Sequence, residues 1–235
     1  MNDIRTPAGI ERESMRIIDA ELSERGIVLA PDRAAIVKRV IHATADFAYA
    51  ETLYFTPDAP SLCADALRGG VLVTDTDMAL AGISKATLRL LGGAAYCFMA
   101  SEDVAREARE RNTTRAAVSV DYALERYPGA AFAVGNAPTA LLRLAERIEA
   151  GARPAFVIGV PVGFVNVAES KRRIREVCGR FRVPAIVADG RKGGSTVAAA
   201  VCNALLYAAS GTLDPGARAH GGGNLKNHAK TENSY

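Results

Sequence analysis

His42 is one of three histidines in the chain, and it lies among other groups that move or attract protons. At about 100° per helical residue, Arg39, His42 and Asp46 fall within an arc of roughly 60°. Ile36, Val40, Ala43 and Phe47 form an apolar stripe to the other side. An imidazole with an ordinary pKa near 6.5 gives and takes protons at neutral pH. A neighbouring carboxylate raises that value and a guanidinium lowers it. Two readings of this face stand. One is a polar surface in water. The other is the wall of a pocket or subunit interface, where Arg39 holds an acidic group and Asp46 or Arg39 tunes His42.

Four further segments have the composition of binding loops: Thr74-Asp75-Thr76-Asp77, Gly135-Asn136-Ala137-Pro138-Thr139, Gly159-Val160-Pro161-Val162-Gly163-Phe164 and Gly190-Arg191-Lys192-Gly193-Gly194-Ser195. Three of them run into helices, whose first N–H groups and positive dipole ends suit carboxylates or phosphates. Tight turns alone would also account for the glycines. Gly190–Ser195 is not a phosphate loop, because Lys192 precedes two glycines instead of the hydroxyl residue. Asp75 and Asp77 have the spacing of a two-carboxylate clamp for a divalent cation and a sugar nucleotide, a short pattern that chance also produces.

The elements that must position these residues follow from periodicity. Residues 10–25 and 32–53 carry apolar residues at helical spacing. From residue 70 the pattern becomes short apolar runs: Val71–Val73, Ala94–Met99, Ala131–Val134, Ala155–Val160 and Val183–Ala188. Turn-rich segments follow most of them, and helical stretches separate them. Such a sequence predicts an α/β chain, a three-layer α/β/α domain with a mainly parallel five-stranded sheet and N-terminal helices. In open sheets of this kind ligands bind beyond the carboxyl ends of the strands. Residues 1–210 are expected to form the domain. Residues 211–235 hold five glycines and no Val, Ile, Phe or Met, which predicts a flexible tail containing His220 and His228.

Composition narrows the function. The 235 residues carry 29 Lys and Arg against 26 Asp and Glu, a net +3 too weak to argue for nucleic acid or an anionic membrane. The start of the chain has no apolar secretion signal, and the nearly apolar run Val197–Ala209 is short and interrupted by Asn203. Cys63, Cys97, Cys178 and Cys202 are far apart with no histidine nearby, so buried small hydrophobes are expected instead of a metal site or a disulfide framework. A soluble, cytoplasmic chain without a metal or cofactor is the expectation.

Taken together, several segments resemble the precorrin-8X methylmutases of cobalamin biosynthesis. They include Ile10-Glu11-Arg12-Glu13-Ser14-Met15-Arg16-Ile17-Ile18, Arg39-Val40-Ile41-His42-Ala43-Thr44-Ala45-Asp46-Phe47 and Thr74-Asp75-Thr76-Asp77-Met78. Asn112-Thr113-Thr114-Arg115, Gly135-Asn136-Ala137-Pro138-Thr139-Ala140-Leu141, Pro161-Val162-Gly163-Phe164-Val165, Glu169-Ser170-Lys171 and Gly190–Ser195 follow in order. The resemblance implies an isomerase that moves a methyl group from C11 to C12 of a corrinoid precursor, free of cobalt or containing it. It implies that His42 gives and takes the proton, and that Ser14 and Arg39 contact the substrate. It also implies a homodimer with active sites near the interface. Arg115, Asn136 and Thr139, with the N–H groups near the last two, are the further candidates for the substrate's acidic arms. Ala-Thr-Ala-Asp-Phe after His42 and Gly190–Ser195 look closer to the cobalt branch. A corrinoid carrier without catalysis, and a nucleotide-dependent transferase using Asp75, Asp77 and Gly190–Ser195, are the alternatives.

Overall fold

The computed structural model describes residues 5–220. Thr6 starts helix α1 (Pro7–Glu24): its hydroxyl accepts the Gly9 N–H at 3.1 Å, and Pro7 supplies a preset first turn. Helix α2 (Pro31–Thr44) also begins on proline. It stops where Ala45 turns left-handed, with φ 53°. The helix expected through residue 53 is therefore interrupted. Tyr49–Thr52 form a single turn, α3, and Leu53–Phe55 form a strand, β1. Three residues are too few to show an alternating pattern, so β1 merges with the helical periodicity before it.

The chain continues through α4 (Ala59–Ala66), β2 (Val71–Thr74), α5 (Asp77–Gly82), α6 (Lys85–Leu90), β3 (Ala94–Cys97), α7 (Glu102–Glu110) and α8 (Arg115–Arg126). It ends with β4 (Ala131–Val134), α9 (Pro138–Glu149), β5 (Val157–Gly159), α10 (Val167–Phe181), β6 (Ala185–Ala188), α11 (Ser195–Ser210) and α12 (Pro215–His220). Among the described residues the strands make one six-stranded sheet in the order β1-β6-β5-β4-β2-β3. The five expected strands pair in parallel, and β1 adds an antiparallel edge with Leu53 opposite Ala188.

Helices cover both faces. Ile36, Val40, Ile41 and Leu205 pack one face against Ile158 and Ile186; Leu141, Leu144 and Ile174 pack the other against Phe132 and Val157. Strands β4, β5 and β6 are buried at every position, which is why they read as unbroken apolar runs. Each large side chain so buried contributes about 1.5–3 kcal/mol. Cys63, Cys178 and Cys202 lie in these cores and Cys97 is half-buried. Burial pushes all four thiols up, Cys178 and Cys202 to about 12. Among the described residues no helix is long and apolar enough to cross a membrane.

The boundary expected at residue 210 falls inside folded structure. Helix α12 returns to α1, and Arg218 donates to Glu11 at 2.7 and 3.0 Å. Charge pairing, not apolar burial, anchors this segment, so its composition does not announce it. Residues 221–235, with His228, lie outside the described residues.

At the carboxyl edge of the sheet, loops interlock at close range. A Cβ on Gly193 would stand 2.1 Å from the Val160 carbonyl oxygen, and one on Gly135 would stand 2.8 Å from Ser195 Cα. The buried Asp75 ties the edge together. Its Oδ1 accepts the Gly135 N–H at 2.8 Å, and its Oδ2 accepts those of Asn136 and Ala137 at 2.8 and 2.7 Å. Burial pushes this carboxyl up, and the three N–H donors pull it back. In Asp75→Asn one acceptor becomes an NH2 facing a donor. That variant is expected to lose about 1–3 kcal/mol, read as a lower urea midpoint at unchanged slope.

Candidate active site

The site candidates fall into two groups. The first is built where α1 crosses α2. Glu11 and Ser14 lie one turn apart on α1, on one face. The Arg39 guanidinium on α2 donates to the Glu11 carboxylate, and Arg218 donates to it from α12. The Tyr207 ring carries both cations on its face, with Arg218 at 4.0 Å and Arg39 at 5.3 Å from the ring centre. The two guanidiniums keep Glu11 ionised: burial raises its carboxyl, and the bonds and charges of Arg218 and Arg39 lower it further than burial raises it. A cavity of about 340 Å³ opens beside this cluster, walled by Glu11, Met15, Lys38, Arg39, Tyr207 and Leu213.

His42 stands at the surface one turn beyond Arg39, while Val40 and Ile41 beside it are buried. Its imidazole is held below its usual value, first by partial burial and then by the positive charge of Arg39. Glu11 opposes this and Arg218 adds to it. Arg39 is thus the neighbour that tunes His42. Asp46 is not: α2 has ended before it, and its carboxylate accepts from Lys192 Nζ at 2.7 Å and from the Ala48 N–H at 3.0 Å. Ser14 sits half-buried on the same face of α1 as Glu11, its hydroxyl donating to the Ile10 carbonyl at 2.9 Å.

The second group lies on the opposite helical layer. Arg115 is exposed at the start of α8, and Thr114 before it caps that helix. The Thr114 hydroxyl donates to that of Thr139 at 2.9 Å, which joins α8 to the first turn of α9. Asn136 is exposed in the loop between β4 and α9. Among the described residues no hydrogen bond or ion pair joins this group to His42. The expectation that N–H groups near Asn136 receive an acidic arm is corrected here. Those of Gly135, Asn136 and Ala137 already hold Asp75. The same bonds remove Asp75 from any clamp with Asp77, and the transferase reading loses its metal site.

One buried cation near these loops enters the sequence reading only as part of the matching segment Glu169-Ser170-Lys171, with no role of its own. Lys171, fully buried on α10, donates to the carbonyls of Gly190 at 3.0 Å and Lys192 at 2.7 Å. Burial pulls its ammonium down to about 8. It thereby holds the loop from which Lys192 reaches Asp46, at the end of the helix that carries His42. Its place in a charge-rich helix makes it look like one more surface cation.

The fold and its matches place the chain among the isomerases. It belongs to the precorrin-8X methylmutase family, whose model matches residues 9–208. It is 44% identical over 212 residues to a cobalt-precorrin-8 methylmutase of Salmonella typhimurium, covering 88% of this chain and 98% of that one. A cobalt-precorrin-8 methylmutase of Priestia megaterium is 41% identical, with 89% and 92% covered. Among solved structures, a precorrin-8X methylmutase from Thermus thermophilus superposes with a TM-score of 0.77 at 41% identity, covering 86% of this chain and 98% of its own.

Replacing Lys171 by Met takes the buried ammonium away from the Gly190 and Lys192 carbonyls. The expected outcome is a loss of about 1–3 kcal/mol, with faster amide exchange over residues 190–194.

Proposed function

We propose that this chain moves the methyl group from C11 to C12 of a precorrin-8 ring, with His42 as the proton donor and acceptor. One observation carries the reading. The histidine of the family motif stands on a face where two guanidiniums meet one carboxylate, beside a cavity large enough for an acidic arm. The substrate, in the family this chain resembles, carries many acetate and propionate arms.

The chemistry balances without a redox partner. One carbon–carbon bond breaks at C11 and one forms at C12, and the ring re-conjugates. Substrate and product are isomers, so a proton given at one atom must be taken back at another, and His42 is regenerated. Protonating the ring makes the methyl-bearing system electron-poor and lowers the barrier. A positioned general acid contributes about 10²–10⁴-fold. Binding the ring in the shape of the product's conjugation supplies the remainder.

Arg39 and Ser14 would meet the substrate on the His42 side. Arg115, Asn136 and Thr139 would meet it from the other group. Their separation within one chain favours a homodimer in which one protomer's second group faces its partner's His42. Phe164, Val165 and Met78, exposed at 82%, 78% and 70%, supply apolar surface for a ring or for such an interface. The two relatives at 44% and 41% identity are named for the cobalt-containing substrate, which favours that substrate here. The cobalt ion is then part of the substrate.

The test is turnover of the two precursors followed by ultraviolet-visible spectra. His42→Ala is expected to keep the fold and lose at least about 10²-fold in rate. Normal turnover by that variant overturns the reading; tight product binding without turnover by the native chain supports the carrier. The pH dependence adds a sign. The free imidazole lies below its usual value, so kcat/KM falls as pH rises through a midpoint under about 6.5. Substrate carboxylates near His42 favour its charged form, so the same limb of kcat lies at higher pH.

A further inference from the structure

The family model ends at residue 208, yet Arg218 reaches the centre of the site. Its guanidinium donates twice to Glu11, at 3.0 Å from Nη1 and 2.7 Å from Nη2, and stacks 4.0 Å from the centre of the Tyr207 ring. It also donates to the carbonyls of Thr212 and Leu213, both at 3.0 Å, which closes the C-terminal segment over the end of α11. Its side chain is only 19% exposed. Without it Glu11 and Arg39 would form a neutral pair, with the guanidinium committed to its own carboxylate. With it, two cations share one anion, and a net positive charge remains beside His42.

We propose that Arg218 is a positioning residue for the methyl transfer: it takes up Glu11, so that Arg39 can turn to an acidic arm of the substrate. This rests on the assignment of His42 and Arg39 made above. Two charge-assisted bonds from Arg218 meet one carboxylate, so when Arg39 leaves Glu11 for the substrate, that buried anion is not stranded. The charged groups facing His42 are Glu11 on α1, Arg39 on its own helix and Arg218 on α12. Loss of Arg218 removes one of the two cations that disfavour the imidazolium.

Full-length Arg218→Gln and Arg218→Lys proteins separate this role from a merely structural one. In Arg218→Gln, KM is expected to rise about three- to tenfold with kcat changed much less, because Arg39 stays on Glu11. Independently, nuclear magnetic resonance titration of the free protein, with the His42 signal assigned from a His42→Ala spectrum, is expected to show its midpoint moved upward. Arg218→Lys keeps the charge and is expected to return the midpoint and most of KM. A wild-type KM and midpoint in Arg218→Gln overturn the proposal. So does an equal loss in Arg218→Lys, which would mean the segment only needs arginine's shape to pack. The titration uses no substrate, so it stands or falls apart from the proof of His42 as the acid.

Discussion

The carboxylate of Asp75 organises the carboxyl edge of the sheet. It sits at the end of β2, buried, and takes the three N–H groups that open the turn before α9. Helix N-termini at the ends of parallel strands ordinarily attract a ligand's anion. Here the protein's own anion fills that place, and nearby glycines let the loops after β4, β5 and β6 close to backbone contact. The turn before α9 is thereby filled from within the protein. In the function proposed above, side chains on the helices take part in recognising the acidic ring. The positive cluster where α1, α2 and α12 meet is the part of the molecule proposed for this.

In the proposed function the two helical layers divide the work. The layer of α8 and α9 presents Arg115, Asn136 and Thr139 around the capped turn. The layer of α1, α2 and α11 presents His42 and Arg39. Lys171 and the Lys192–Asp46 pair connect the carboxyl edge to the end of α2, so the position of the histidine depends on the loop at the strand ends.

Much of the fold was legible because burial on both sides of a parallel sheet writes itself as unbroken apolar runs. Ala131–Val134 is the plainest example, predicted and observed with the same ends. The strand β1 was not legible, since Leu53-Tyr54-Phe55 follows directly on a helical pattern and gains its identity only by pairing with β6. His42 and Arg39 were legible as a polar face and through motif resemblance. Asp75 read as half of a metal clamp, because its partners lie 60 residues and more along the chain. Asp46 was placed on the His42 face by helical arithmetic that Ala45 ends. Arg218 had no local signal, and Lys171 had only its place in the matching segment Glu169-Ser170-Lys171: one is a cation in a glycine-rich segment, the other a cation inside an amphipathic helix, and each acquires its partners from a carboxylate or carbonyls distant in sequence.

The most direct measurement is a crystal structure of the full chain with the corrinoid product bound. The expected result places a His42 ring nitrogen within about 2.6–3.2 Å of a ring atom or its bridging water, with an acidic arm on Arg39 and Glu11 held by Arg218. A product seated against the strand-end loops, with His42 facing solvent and Arg39 still on Glu11, contradicts it.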